Sequence, residues 1–420
     1  MRQTAGIAAV ALGMTLLSIT SATAEPGNDQ HDGSLSASAP ALAEDLPPAA
    51  GSVVPDADPF YTAPPNLESY RNGQLVDHRE VTVDLATPVR AWQLSFRTND
   101  SRDRAELGVT TVLVPTTPWT GPGPRPVVSE QLPEDATGTR CAPSYTLVKN
   151  TVQSAEPIMQ MLAKGWIVAV PDHEGPKSGF LTGPRTAHTI LDGIRAAGQF
   201  EPVEIGPDAV WALDGYSGGG AATAWAAQTQ PSYAPELSFA GAAIGGVPAD
   251  LTTLTARFDG SIFSGYNFGI LVAYDREYPE AHLGDLFDER GHAAIAAAGD
   301  ACVNDLLANF ALRRLSDLAH GADPLQAPRF AQLLRDNSLG ATAPTMPIFN
   351  YHATTDEIVP VDQADHLTAL WRAAGATIVT VRDPLDEHGL EALHRTPDAQ
   401  AFLADRVAAS ATSADRRGPR

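Results

Sequence analysis

Lysine is nearly missing from this chain, with three in 420 residues, at Lys149, Lys164 and Lys177; arginine carries the positive charge instead. Cysteine is scarcer still, with only Cys141 and Cys302. Two cysteines exclude a disulfide-dense scaffold and a cysteine-rich zinc module. Basic residues number 28 against 50 acids, a formal charge of −22. No clustered positive field is offered to a phosphate backbone, so nucleic acid is excluded as a partner. The same imbalance argues against docking on anionic membranes through basic patches. The apolar fraction, 43%, is ordinary for a packed core and excludes wholesale disorder. The length fits two domains, or one large α/β domain carrying an insertion.

The N-terminus reads as an address. Arg2 supplies a positive start, residues 7–19 are apolar, and Ser21-Ala22-Thr23-Ala24 offers small residues for cleavage. The apolar run falls short of the ~20 residues that span a bilayer, so residues 1–24 are expected to be a removed signal peptide rather than an anchor. The expected destination is outside the cell or in its envelope, with no stable membrane anchor. In that oxidising setting the two cysteines either form one bridge or remain as buried thiols. Residues 25–57, rich in Ala, Pro, Ser, Gly and Asp, read as a flexible leader, and residues 410–420 as a disordered tail.

Between these ends, short apolar runs alternate with helical patterns. Strands are expected over 109–114, 125–128, 166–170, 209–213, 239–244, 347–351 and 377–381. Helices are expected over 156–164, 185–199, 219–228, 363–374 and 397–409. This βαβα rhythm predicts an α/β fold with a mostly parallel central sheet and helices on both faces. Residues 248–343 break the rhythm: they hold no convincing strand and are rich in alanine. They predict a helical cap inserted between two core parts, 58–247 and 344–409, over the strand ends where open α/β folds place their sites.

Gly215-Tyr216-Ser217-Gly218-Gly219 follows one expected strand and opens a helix. A serine on such a sharp turn needs neighbours without side chains two residues before and two after it. With 35 glycines in 420 residues, chance alone yields about 0.2 such patterns, so the strand–turn–helix context carries the weight. No lysine follows the glycines, which excludes a phosphate-binding loop. Ser217 is the expected nucleophile.

A serine hydroxyl near neutral pH needs a base, and that base an orienting acid; in this fold the chain order is Ser, acid, His. Asp356 lies just beyond the strand ending at Tyr351 and is the preferred acid. Glu357 is its nearest rival, and Asp362 reads as a helix start. His388, on a loop after the last strand and before Gly389, is the preferred base, with His394 the alternative. His352 and His366 read as packing or surface residues. The backbone N–H of Gly218 is the expected first oxyanion donor. The second belongs on the loop after residue 128, where no His-Gly-Gly-Gly motif occurs.

The chain resembles the secretory lipase family of fungi and actinobacteria, typified by Candida antarctica lipase A. The matching words are Asp58-Pro59-Phe60-Tyr61, Glu134-Asp135, Cys141-Ala142-Pro143-Ser144-Tyr145 and Pro171-Asp172-His173-Glu174-Gly175-Pro176. They continue with Gly215-Tyr216-Ser217-Gly218-Gly219, Gly245-Gly246-Val247-Pro248-Ala249-Asp250, Asn337-Ser338-Leu339-Gly340 and Asp356-Glu357-Ile358-Val359-Pro360. The resemblance implies an α/β-hydrolase fold and Ser217, Asp356 and His388 as a triad. It also implies Gly218 and Asp135 as oxyanion-hole residues, and a disulfide from Cys141 to Cys302. The activity it implies is hydrolysis of carboxylic esters, triacylglycerols among them, with no metal or organic cofactor. The expected partner is a lipid or small ester, met through transient contact with a lipid interface. A short-chain carboxylesterase, a secreted acyltransferase and a non-catalytic envelope binding protein are the competing readings. The stretch 262–271 fits either an acyl-chain lining or ordinary packing within the cap.

Overall fold

Neighbouring residues along each strand feed opposite cores, as the period of two requires. In 210–216, Trp211 and Leu213 pack with Ile190, Ile194, Leu367 and Trp371. Ala212, between them, packs with Met161, Leu162 and Leu403 on the other face. A sheet buried on both sides follows. The computed structural model describes residues 54–121, 123–206 and 209–415, with side chains to 410. The expected signal peptide and all but the end of the expected leader lie outside these residues.

Among the described residues nine strands form one sheet: β1 (Leu75–Val81), β2 (Val89–Asn99), β3 (Ala105–Pro115), β4 (Val127–Gln131), β5 (Ile167–Pro171), β6 (Val210–Tyr216), β7 (Ser238–Gly245), β8 (Ile348–Ala353) and β9 (Ile378–Asp383). Their order is β1-β2-β3-β5-β4-β6-β7-β8-β9. The β1/β2, β2/β3 and β3/β5 pairs are antiparallel. All pairs from β5 to β9 are parallel. Helices Gly183–Gln199, Gly218–Tyr233 and Val361–Ala373 cover one face, through side chains such as Ile190, Ala222 and Leu367. Helices Pro143–Lys149, Glu156–Ala163 and His388–Asp415 cover the other, through Leu147, Ile158 and Leu403.

Strands β1 and β2 were not expected from the sequence. β1 is a half-exposed edge without apolar alternation. β2 buries polar residues: Gln93 donates to the Ser144 carbonyl at 2.6 Å, and Thr98 to Asp192 at 2.8 Å. Buried polar groups with partners are stable but erase the hydrophobic pattern.

The ends of the chain also differ from expectation. Pro55–Ala57, read as the end of the leader, form a 3₁₀ turn with Pro55 buried. The final helix begins at His388, not near 397, and runs through Pro397 to Asp415. It forgoes one backbone bond at the proline, and buried Ala399 and Leu403 hold it against the sheet. Alanines at 408, 409, 411 and 414 favour its continuation into the stretch read as tail. No helix among the described residues is long and apolar enough to cross a membrane.

Between β7 and β8 the chain forms five α-helices, Leu251–Phe258, Gly265–Glu277, Glu289–Ala297, Val303–Phe310 and Pro328–Asp336, separated by short 3₁₀ turns. They enclose their own core, with Leu254, Phe258, Phe268, Leu271, Leu306 and Phe330. Several links tie this insertion to the loop after β4. Cys141 and Cys302 are disulfide-bonded. The Thr137 N–H donates to the Ala301 carbonyl at 2.9 Å. Arg276 donates to the Thr137 carbonyl at 2.6 Å. A buried ion network attaches it elsewhere. Arg185 donates to both carboxylate oxygens of Glu106 and to Glu277 at the end of an insertion helix, where Arg185 and Glu277 have no exposed surface.

Candidate active site

Strand β6 runs straight into helix Gly218–Tyr233, and Ser217 sits at the joint with φ 58° and ψ −123°. A non-glycine residue at such a φ is strained and needs its surroundings to hold it. Its N–H donates to the Gly245 carbonyl at 2.9 Å, and its carbonyl accepts from the Ala221 N–H at 2.9 Å. The flanking glycines are sterically required. A Cβ on Gly215 would lie 2.3 Å from the Gly219 carbonyl oxygen, and one on Gly219 only 1.8 Å from that of Gln131. The turn is therefore too tight for any side chain two residues to either side of the serine, as the motif predicts.

The Ser217 hydroxyl donates to His388 Nε2 at 2.9 Å, and His388 Nδ1 donates to Asp356 Oδ2 at 2.7 Å. The three expected residues, from β6, β8 and the segment after β9, thus meet at the carboxyl ends of the parallel strands. Asp356 Oδ1 accepts the N–H groups of Ile358 and Val359 at 2.9 and 2.7 Å. Burial by itself raises its pKa, but hydrogen bonds from His352 and His388 outweigh that and hold the carboxyl well below the usual range. Asp356 is ionised at neutral pH.

The rivals take supporting positions. Glu357 accepts the His388 N–H at 3.1 Å and so holds the base's backbone rather than its ring. His394 bonds Asp386 and does not reach Ser217. His352, read from sequence as packing, is fully buried, with Nε2 at 2.9 Å from the Val359 carbonyl and 3.1 Å from Asp356 Oδ2. It is a second imidazole on the same carboxylate. Its place four residues before Asp356, at the end of β8, was the available signal. Tyr216, whose identity the serine motif leaves open, also supports the base: its hydroxyl donates to the His388 carbonyl at 2.6 Å.

Asp135 lies on the loop after β4, and a Cβ on Gly218 would fall 2.0 Å from its Oδ1. The two expected oxyanion residues are therefore in contact. Burial pushes the Asp135 carboxyl up to about 7, against the opposing pull of His388. Near it lie Glu134 and Glu174, whose carboxyls burial raises well above the ordinary range, helped by repulsion from Glu174 on Glu134 and from Asp135 on Glu174. Glu134 accepts the Glu174 N–H at 3.3 Å, and Glu174 accepts that of Ala136 at 3.3 Å. Burial pushes His173 down to about 4, leaving it neutral to donate to the Leu132 carbonyl at 2.8 Å.

The words that carry the resemblance meet in space. Tyr61 and Ser144 share a hydrogen bond of 2.8 Å, and Asp172 accepts the Ser144 N–H at 2.7 Å. Gly245 and Gly246 give room to the rings of Tyr351, Tyr216 and His388. Asp250 caps helix Leu251–Phe258, and Asn337 accepts the Gly183 N–H at 2.9 Å. Most of these words shape the backbone around the site.

An α/β-hydrolase sheet carrying a hydroxyl–imidazole–carboxylate chain at its strand ends defines the class: a carboxylic ester hydrolase. The secretory lipase family model matches residues 146–415, and the chain belongs to that family. A secreted triacylglycerol lipase of Malassezia restricta is 30% identical over 377 residues, 84% of this chain and 80% of its own. A protein of Mycobacterium tuberculosis named a probable inactive lipase is 32% identical over 375 residues, 85% of this chain and 83% of its own. The crystal structure of Candida antarctica lipase A in its closed state superposes with a TM-score of 0.80 at 28% identity, covering 88% of this chain and 89% of that one.

Proposed function

We propose that this ester hydrolase acts outside the cell on acyl esters of lipids, triacylglycerols among them, through an acyl-enzyme on Ser217. The observation that carries the reading is the unbroken chain from Ser217 through His388 to Asp356. Ser217 Oγ attacks the ester carbonyl carbon while His388 Nε2 takes its proton. Asp356, ionised, stabilises the imidazolium through Nδ1–H. The tetrahedral intermediate collapses, and the alcohol leaves with the proton from Nε2. Water then repeats the sequence: His388 Nε2 takes one of its protons and passes that proton to Ser217 Oγ as the acid departs with the remaining hydroxyl. No cofactor enters these steps. The insertion acts as a cap, and its Tyr266 packs against Phe180 of the segment after β5, with ring centroids 6.1 Å apart. Exposed Leu385, Leu390 and Leu393, near the His388 loop, supply apolar contact for a lipid interface.

Gly218 N–H and Asp135 serve the oxyanion. A carboxyl titrating near 7 is neutral at lower pH and donates a hydrogen bond to developing negative charge. Above that pH its own charge opposes the intermediate. The expected outcome is a fall in kcat/KM above about pH 7 in the wild type. Asp135→Asn keeps a donor that does not ionise and flattens that limb. Coincident descending limbs for the two proteins would remove Asp135 from the oxyanion role.

The reading is tested with p-nitrophenyl esters from acetate to palmitate and with emulsified triglyceride. Turnover of long chains and emulsions is expected. A protein confined to acetate would be a short-chain esterase. One inert toward the whole series would resemble, in that respect, the relative named inactive.

A further inference from the structure

Three buried carboxyls flank His388 and take no part in the steps above. Asp383 ends β9, Asp386 lies in the following loop, and Glu391 is in the first turn of helix His388–Asp415. One oxygen from each lies within 4.8 Å of the others, the span of atoms around a shared cation at ~2.4 Å. Two of the three have partners. Asp383 accepts the Leu385 N–H at 2.9 Å and pairs with Arg395. Asp386 accepts from His394 Nδ1 at 2.8 Å.

Glu391 is different. It has no exposed surface, and neither carboxylate oxygen has a hydrogen-bond partner. A carboxylate stripped of water and left unpaired is among the costliest groups a fold can hold, so it calls for a ligand. The nearby guanidiniums are engaged by groups other than Glu391. Arg395 bridges Asp383 and Asp398, and Arg382 bonds Asp365 and the Asn350 carbonyl. Each keeps one unpaired N–H, Arg395 Nε and Arg382 Nη2, yet neither forms an ion pair with Glu391 among the described residues.

We infer that Asp383, Asp386 and Glu391 form a binding site for a hard divalent cation, Ca²⁺, that clasps the loop carrying His388. An all-oxygen donor set selects against zinc and copper. Irregularly placed carboxylates in a buried setting suit Ca²⁺ better than Mg²⁺, which demands an octahedron and retains several waters. The site joins the end of β9 to the first turn of the last helix, fixing both sides of His388. That consequence for catalysis rests on His388 being the base; the cation site itself does not.

The test uses the full chain freed of metal with EDTA. Calorimetric titration with CaCl₂ is expected to show one saturable site, and millimolar Ca²⁺ to raise Tm by several degrees, with a smaller rise in Mg²⁺. Glu391→Gln keeps the shape and removes the charge; it is expected to abolish both responses while melting, without metal, no lower than metal-free wild type. Asp386→Asn provides a second reading, with at least tenfold weaker Ca²⁺ binding expected. Three results would each overturn the site: no saturable binding by wild type, binding unchanged in either variant, or metal-free Glu391→Gln melting well below metal-free wild type. The last would mean that Glu391 already has a protein partner. None of these readouts depends on ester hydrolysis.

Discussion

Replacing Ser217 with alanine is expected to lower kcat/KM toward a p-nitrophenyl ester by about 10⁵–10⁶-fold, the loss typical of an acyl-transfer serine. At 1.36 kcal/mol per decade that is about 7–8 kcal/mol of transition-state stabilisation. The fold should not register the change. The Ser217 side chain makes its hydrogen bond to His388 alone, and alanine meets the same backbone strain at φ 58°. A melting temperature matching wild type would accompany the loss. His388→Ala is expected to cost a similar amount, and the double variant little more than either, because hydroxyl and imidazole act as one unit. Wild-type turnover by Ser217→Ala, measured on protein purified away from host esterases, would refute the acyl-enzyme route.

The second large effect concerns stability. Arg185→Leu is expected to destabilise the protein by about 3–5 kcal/mol, the usual cost of removing one partner from a buried ionic cluster. Arg185 joins Glu106 of β3 to Glu277 of the insertion, so its loss deprives two carboxyls of their guanidinium, leaving Glu106 with Lys177 at 3.7 Å and Glu277 with the Ser101 N–H. Burial raises the Glu106 carboxyl more than Arg185 lowers it. On Glu277 the balance reverses: burial raises the carboxyl, but Arg185 and Ser101 together outweigh it and hold the pKa below the ordinary 4.5. A depressed carboxyl contributes stability above its unfolded pKa and loses it as pH falls through the folded value. The gap between wild type and Arg185→Leu, read from urea denaturation, should therefore be widest near pH 7 and shrink below about 4.5. Replacing all three residues with apolar ones of similar volume should recover most of the loss. An equal deficit at every pH would mean that Arg185 acts by packing alone.

Much of the site was legible because each element advertises itself locally. The glycines around Ser217 are dictated by clashes of 2.3 Å or less that any side chain would meet, so steric need is written directly into the sequence. Asp356 and His388 could be placed because both follow apolar strands. The choice between Asp356 and Glu357 was not local: it depends on which carboxylate faces the imidazole ring across the sheet. His352 was missed for the same reason, since a buried histidine on a strand looks alike whether it meets a carbonyl or the triad acid. The antiparallel edge was hidden by polar residues whose partners, such as Ser144 and Asp192, are distant in sequence. Asp135 carries no pattern of its own, and only the resemblance pointed to it.

The bond between Cys141 and Cys302 has a mechanical meaning. The insertion leaves the sheet after β7 and rejoins it before β8, and two covalent attachments alone would let it swing like a door about the line between them. The disulfide bolts that door to a third post, the segment leading back to Asp135, with the Thr137–Ala301 backbone bond beside it. Bodily lifting of the insertion would drag the oxyanion loop out of register with Ser217. Room for an acyl chain has to come from yielding inside the insertion, in the turns between its helices, while its bolted corner stays still.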